Sequence, residues 1–392
     1  MQNVVILAAQ RTAIGSFLGS LSSFSPAELG AFVAKAAIAR ANVDASAIEH
    51  SVFGHIITTS AADAYLARDI ALRSGLPITS SAMNVNRLCG SSIQAIISAV
   101  QMLWLGDCQL ALAGGAEVMS KGAYILPDVR QGLRAGHASM TDLTLGILSD
   151  PFDSGHMGLT AELIAKQYNL SREALDEFSL LSQQKATIAL QQNRFSTQIA
   201  AINVPNGRDT IHFDIDEHVK ADSTIEQLQK LRPAFVKNGI VTAGNSSGLN
   251  DGASALVLST EHFAATHGLR PIAKILGYSF SGVAPNVMGL GPIPAVQKLL
   301  NKFNLQVQDI DVIESNEAFA AQAIAVAKTL GFSEKQVNPN GGAIALGHPV
   351  GATGAILLTK IIYELQRTSG RLGLVTMCIG GGQGIALLVE RL

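Results

Sequence analysis

Three cysteines occur in this 392-residue chain, Cys89, Cys108 and Cys378, and two stand where a thiol could do chemistry. Cys89 ends the polar, extended run Asn84-Val85-Asn86-Arg87-Leu88 and precedes Gly90-Ser91-Ser92 and the apolar helical pattern Ile93-Gln94-Ala95-Ile96-Ile97. A thiol at a helix N-terminus faces unpaired first-turn N–H groups and the positive end of the helix dipole, which lowers its pKa. The same pattern also fits a buried structural cysteine beside a cap. Cys378 closes an apolar run and is followed by Ile379-Gly380-Gly381-Gly382. It reads either as a buried thiol in a sheet-edge turn or as a second thiol poised for proton transfer. Glycines permit a concave nest of backbone amides, so Gly90 and Gly380 mark two places where an oxyanion could be held.

His348 lies between Gly347 and Pro349, outside any amphipathic helical pattern, and its imidazole could deprotonate Cys89. Asn316 and Glu317 stand at a strand-to-helix junction; Asn316 reads as an N-cap or as an anchor for a water that donates to a carbonyl oxygen, and Glu317 as a brace for nearby backbone. His156, in Gly155-His156-Met157-Gly158, reads equally as a ligand contact and as a loop hydrogen-bonding group. His50, His55, His137, His212, His218, His262 and His267 sit mostly in polar contexts and read as surface residues. No paired-histidine helical motif occurs, which gives metal catalysis little support.

These groups must be positioned by an alternating strand–helix chain. Val4–Ala9, Ile48–Gly54, Ser81–Asn86 and Gln109–Ala113 read as strands, and Ser25-Pro26-Ala27-Glu28 as a capping box opening a helix to about Arg40. Ala61–Ser74 reads as a helix ended near Gly75 and Pro77, Ser171–Leu190 as a helix capped by Ser171, and Ser92–Leu105, too apolar to face water, as a central helix. Alternation resumes with strands at Ser254–Leu258, Ala273–Ser279, Ile310–Glu314 and Gly373–Met377, and helices at Pro294–Asn301, after Phe319, and at Gly351–Gln366. The order around Met83–Asn86, a turn, an apolar helix and Ala111–Gly115 is echoed by Val337–Asn340, a glycine turn, an apolar helix and Val375–Gly382. Ile48–Asp63 and Ile310–Gln322 form a second echo. The chain therefore reads as a duplicated α/β core with its site where the halves converge: residues 1–119 as one half, 120–248 as an inserted loop domain returning to the first half near its end, and 249–392 as the other half.

Composition bounds the function. Hydrophobic residues make up 48% but aromatics only 5%, and the formal charge of −2 favours neither nucleic acid nor an anionic membrane. Three scattered cysteines form no disulfide framework and suit a reducing compartment. The first residues enter a strand at once with no signal-like segment, and no membrane-spanning segment is expected, so the default location is the cytoplasm.

The motifs together resemble the thiolase family, in particular bacterial biosynthetic and β-ketothiolases, over essentially the whole chain. The resemblance is carried by Asn86-Arg87-Leu88-Cys89-Gly90-Ser91, Gly155-His156-Met157-Gly158, Leu231-Arg232-Pro233, Thr242-Ala243-Gly244-Asn245-Ser246-Ser247-Gly248-Leu249-Asn250-Asp251-Gly252, Asn316-Glu317-Ala318-Phe319, Gly347-His348-Pro349-Val350-Gly351 and Cys378-Ile379-Gly380-Gly381-Gly382. It implies a thiolase-like duplicated α/β core of five α-β-α-β-α layers with an inserted loop domain. It implies Cys89 as the acyl-carrying nucleophile, His348 as its activator, and Cys378 as the acid/base at the α-carbon. One oxyanion hole would combine His348 with a water on Asn316; the other would use the N–H groups of Cys89 and Gly380. Ser247 and His156 are expected at the pantetheine or thioester end of CoA, Lys220 near the nucleotide, and Leu148, Met157, Phe235 and Phe319 along the acyl-pantetheine tunnel.

The implied reaction is Claisen condensation of two acetyl-CoA, or acetyl-CoA with a short acyl-CoA, to a 3-ketoacyl-CoA and CoA, and the reverse thiolysis. Acetyl-CoA, acyl-CoA and CoA are expected as substrates, with no further cofactor. A homotetramer built as a dimer of dimers is also expected. A degradative thiolase of broader or longer chain length is the alternative, and a non-catalytic thiolase-like lipid-binding protein a more distant one. Segments Thr58–Leu66 and Leu148–Asp153 look more like the broader-specificity β-ketothiolases.

Overall fold

A computed structural model describes residues 2–127 and 129–392. Nine strands form one continuous path: β1 (Val4–Arg11), β2 (His50–Gly54), β3 (Ser81–Val85), β4 (Leu110–Val118), β5 (Asn250–Thr260), β6 (Ala273–Gly282), β7 (Val312–Ser315), β8 (Leu372–Ile379) and β9 (Gln383–Arg391). Their order is β7-β8-β9-β6-β1-β5-β4-β2-β3, and the short strand Gly15–Ser16 adds a tenth member against β5. Each half repeats one pattern. In the first, β3 and β2 pair in parallel, as do β2 and β4, while β4–β5 and β5–β1 are antiparallel. In the second, Val337 bridges Ile313 in parallel, β7–β8 is parallel, and β8–β9 and β9–β6 are antiparallel. The two half-sheets meet at β1 and β6, where Val4, Val5 and Ile6 pair with Ile275, Lys274 and Ala273.

Strand alternation sorts the core into layers, because successive side chains leave a strand on opposite faces. From β4, Ala111 and Ala113 enter a central core with Val375 and Met377 of β8, whereas Leu110 and Leu112 enter an outer core. The central core is filled by α3 (after α1, Pro26–Ala41, and α2, Leu66–Arg73), which spans Ser91–Leu105, and by its counterpart Thr353–Thr368. The first outer layer is α1 and α2; the second carries Pro292–Phe303 against Leu372, Leu374 and Leu388. Five α-β-α-β-α layers result, as the family resemblance implies.

The capping box at α1 is realised: Glu28 N donates to Ser25 Oγ (3.2 Å) and Ser25 N to Glu28 Oε2 (2.8 Å). Such a cap contributes about 1 kcal/mol. The uncharged stretch Leu88–Leu105 is long and apolar enough on average to cross a membrane, yet more than half of it is buried inside the fold, as befits a core helix.

Three expectations need correction. The second half does not begin at 249: β5 lies between β1 and β4, so the chain returns to the first half's sheet and leaves it only after Thr260. The strand β9 has no counterpart among the expected elements, although it pairs with both β8 and β6. The expected helix over Ala61–Ser74 divides into a 3-10 turn at Ala61–Tyr65 and the α-helix Leu66–Arg73. Within the inserted region the best-formed helices are α4 (Met157–Gln167) and α5 (Arg172–Gln191), the latter capped by Ser171. After them come α6 (Pro292–Phe303), α7 (Ala320–Leu330) and α8 (Thr353–Thr368).

Candidate active site

A cavity of about 420 Å³ opens where the halves and the inserted region meet. Cys89, Leu148, His156, Met157, Phe235, Ser247, Phe319, His348, Cys378 and Gly380 all line it. A larger surface cavity of about 550 Å³ lies between α5 and α7 and touches none of these groups.

Cys89 is presented by a strained turn. Leu88 has φ +45°, Leu88 N donates to Asn86 Oδ1 (3.0 Å), and Ser91 Oγ accepts from Arg87 N (2.9 Å) while donating to Leu88 O (2.7 Å). The left-handed backbone is costly for leucine, and these local hydrogen bonds hold it. The thiol's pKa is raised, not lowered as the helix-start argument anticipates. Burial pushes it up and the charge of Glu117 adds to the rise, against the N–H groups of Gly380 and Cys89 itself, which favour the thiolate. Those two N–H groups converge on one sulfur from opposite halves of the molecule. A Cβ on Gly380 would also meet Leu88 at 3.3 Å and Met157 at 3.5 Å.

Cys378 is the seventh residue of the eight in β8 and is fully buried. Burial first, and then the neighbouring Cys89, push its thiol far above the ordinary cysteine range. Both thiols line the same cavity.

His348 follows Gly347, whose φ of +104° suits only glycine; an added Cβ there would also lie 2.5 Å from Asn250 Cγ. The backbone N–H of His348 donates to Asn250 Oδ1 (2.9 Å), and Asn250 Nδ2 donates to Gly15 O (3.0 Å). Burial lowers the His348 pKa to about 4, so the ring is neutral near pH 7. Asn316 is buried with its Nδ2 3.4 Å from His348 Nε2, and its Oδ1 has no hydrogen-bond partner among the described residues. It is not the N-cap of α7, a position held by Phe319. Glu317 does brace backbone and side chains: it accepts from Asn338 Nδ2 (2.7 Å), Ser182 Oγ (2.7 Å) and Ile344 N (3.3 Å).

The opposite wall is aromatic. His156 caps α4 by accepting from Gly158 N at Nδ1 (3.1 Å), so its Nε2 carries the proton. It stacks on Phe235 at 4.8 Å, and Phe235 meets Phe319 edge-on at 6.1 Å. Gly158 leaves the space that Phe235 fills, since a Cβ there would lie 2.3 Å from the ring.

Lys220 is not brought to this cavity; it is exposed, with its backbone N–H held by Gln183 Oε1 (2.8 Å). Two of the histidines expected at the surface are placed inside instead. His218 lines the cavity, and His55 is buried beside Glu117 and Asp63. Asn250 is a site residue that the sequence reading lacks, although its place two residues after Gly248 in a long motif is an available signal.

Fold and site define a class: a duplicated α/β protein with paired thiols and a histidine in a narrow, mostly apolar cavity. Comparison narrows it. The thiolase N-terminal domain matches residues 4–262 and the thiolase C-terminal domain residues 269–391. The chain is 50% identical over 392 residues to beta-ketothiolase BktB of Cupriavidus necator, and 48% identical over 395 residues to the acetyl-CoA acetyltransferase of Escherichia coli, each comparison covering 100% of both chains. The Bacillus anthracis acetyl-CoA acetyltransferase superposes with TM-score 0.98 at 43% identity, covering 100% of this chain and 99% of that one. Human mitochondrial 3-ketoacyl-CoA thiolase in complex with CoA does so at 0.96 and 38%, covering 100% and 98%. The chain belongs to the thiolase family and is a thiolase enzyme.

Proposed function

We propose that the enzyme joins acetyl-CoA to acetyl-CoA or a short acyl-CoA, and cleaves the product, by way of acyl-Cys89. The carrying observation is that Cys89, His348 and Cys378 line one cavity, with the N–H groups of Cys89 and Gly380 acting on the Cys89 sulfur. In condensation His348 Nε2 takes the Cys89 proton and the sulfur attacks the thioester carbonyl. The bond to CoA breaks, and the departing CoA sulfur takes the proton of Cys378. The Cys378 thiolate then removes an α-proton from the second thioester. The carbanion attacks the acyl carbonyl, the bond to Cys89 breaks, and His348 returns its proton to that sulfur. Every group ends in its starting state. An acylated Cys89 cannot ionise, so it cannot raise the Cys378 pKa when the base form is needed.

In this reading the acyl oxyanion is held by the N–H groups of Cys89 and Gly380. The enolate oxygen is held by protonated His348 and a water on Asn316. His156, Ser247, Leu148, Met157, Phe235 and Phe319 bind the pantetheine arm, and Lys220 meets the nucleotide outside the cavity. Both thiols and the imidazole suffice for the proton traffic, so no metal or redox cofactor is required. The exposed apolar side chains of Tyr124, Leu133 and Met140 in the inserted region support a homotetramer, with the open edge of β3 available to a dimer partner. We place the enzyme in the cytoplasm and in fatty acid metabolism.

Thiolysis of acetoacetyl-, 3-ketovaleryl- and 3-ketohexanoyl-CoA by wild type, Cys89→Ser and Cys378→Ser tests the reading. Turnover of all three substrates by wild type and loss of at least about a hundredfold in each variant are expected. Full activity in Cys89→Ser would remove the nucleophile assignment. Turnover of acetoacetyl-CoA alone would remove the broad specificity, and a preference for still longer chains would favour a degradative role.

A further inference from the structure

Behind the cavity lies a charged cluster that the mechanism above does not use. His55 follows β2 and is 8% exposed. Its Nδ1 is 3.0 Å from Glu117 Oε1 and 3.0 Å from Ala116 O, and its Nε2 is 3.5 Å from Asp63 Oδ2. Asp63 is itself fixed by Thr59 Oγ1 (2.9 Å) and Ser60 N (3.0 Å). Glu117, fully buried on β4, accepts from Ile56 N (3.1 Å) and Ile57 N (3.1 Å) in its own half. It also accepts from Gly351 N (2.9 Å) in the other half. Gly351 is three residues from His348, and a Cβ there would lie 2.3 Å from Glu117 Oε2. Ile56, Ile57 and Val350 pack with Leu88 and Cys89 in one cluster.

One carboxylate thus ties the His348 loop to the wall behind Cys89, and its charge acts on the Cys89 thiol. An isolated ionised carboxylate at such depth would be very costly. We propose that His55 is a positioning residue for acyl transfer: as a cation between Glu117 and Asp63 it holds the Glu117 carboxylate in place as the clamp on Gly351 and offsets its field at Cys89. The charges facing His55 are Glu117 from β4 and Asp63 from the turn before α2, which lift its pKa to about 10 against the downward pull of burial. Asp251 of β5 also feels Glu117, and His348 and Cys378 are the titratable groups sharing the Cys89 cavity.

The inference rests on Cys89 being the acylated thiol, but its test reads that thiol directly. Iodoacetamide alkylation of Cys89, followed by peptide mapping across pH, is compared in wild type, His55→Gln, Asp63→Asn and the double variant. His55→Gln leaves two carboxylates uncompensated, so the midpoint of Cys89 alkylation moves about one pH unit upward. In thiolysis kcat falls about tenfold with KM changed less than about twofold. Asp63→Asn moves the midpoint downward. The double variant restores the wild-type sum of charges and returns the midpoint toward wild type. An unchanged midpoint in His55→Gln would overturn the proposal, as would a double variant shifted further than either single one. Should His55→Gln not fold, the downward shift in Asp63→Asn still decides. Loss of thiolysis in Cys89→Ser tests the enzyme reading separately.

Discussion

His348 Nδ1 lies 2.6 Å from Thr353 Oγ1, and that hydroxyl sits 3.0 Å from the carbonyl of Pro349, to which it donates. A hydroxyl has one proton, so Thr353 must accept from the ring, and Nδ1 carries the imidazole proton. Nε2 is then the basic nitrogen, and it is the one 3.4 Å from Asn316. A threonine in the first turn of α8 therefore selects the tautomer that the proposed deprotonation of Cys89 requires.

Replacing Thr353 with Val removes the acceptor and leaves a buried N–H unpaired. We expect kcat to fall about 10- to 100-fold, with thiolate formation at Cys89 reduced, and Thr353→Ser to recover most of the loss. Steady-state thiolysis and Cys89 alkylation rates measure both effects. Equal activity in Thr353→Val and wild type would show that the tautomer is set elsewhere.

Asn250 holds His348 through the backbone rather than the ring. Asn250→Ala abandons His348 N–H and the Gly15 carbonyl, both in the interior, and should lower stability by about 1–3 kcal/mol. Denaturant unfolding at neutral pH reads this directly. Asn250→Asp keeps one acceptor for His348 and should recover part of the stability.

Two histidines give stability opposite pH dependences. His348 has a folded pKa near 4, below its unfolded value, so the unfolded chain binds its proton first and stability is lost as pH falls from about 6.5 toward 4. His55 has a folded pKa near 10, above its unfolded value, so its contribution is full below about 6.5 and lost as pH rises toward 10. Thermal unfolding from pH 6.5 to 9 should therefore show Tm declining more in wild type than in His55→Gln. Parallel profiles would mean that His55 is neutral in the folded enzyme.

The inserted region exposes Leu133 at 60% and Met140 at 64%. If these side chains join dimers into tetramers, Leu133→Asp with Met140→Asp should yield a dimer by light scattering while single-turnover acylation of Cys89 is retained. A variant that remains tetrameric would place that interface on another surface.

The amino-acid sequence by itself singled out the candidate reacting groups and the repeat. Cys89, His348 and Cys378 stand in short glycine-flanked motifs, and the repeated order of strand, turn and apolar helix is local information that hydrophobic periodicity carries. It also placed the caps at Ser25 and Ser171, because a cap is completed within about three residues. Only the tertiary structure decided what lies beyond that range. The strand Asn250–Thr260 joins the first half because its partners are more than a hundred residues upstream, and no local pattern names a strand's partner. The fates of His55 and His218 follow the same rule. Their neighbours in sequence are polar, but burial and charge are set by chain segments folded against them, Glu117 for one and Gly248 for the other. The direction of the Cys89 pKa shift was likewise settled in three dimensions, where burial outweighs the helix start that the sequence displays.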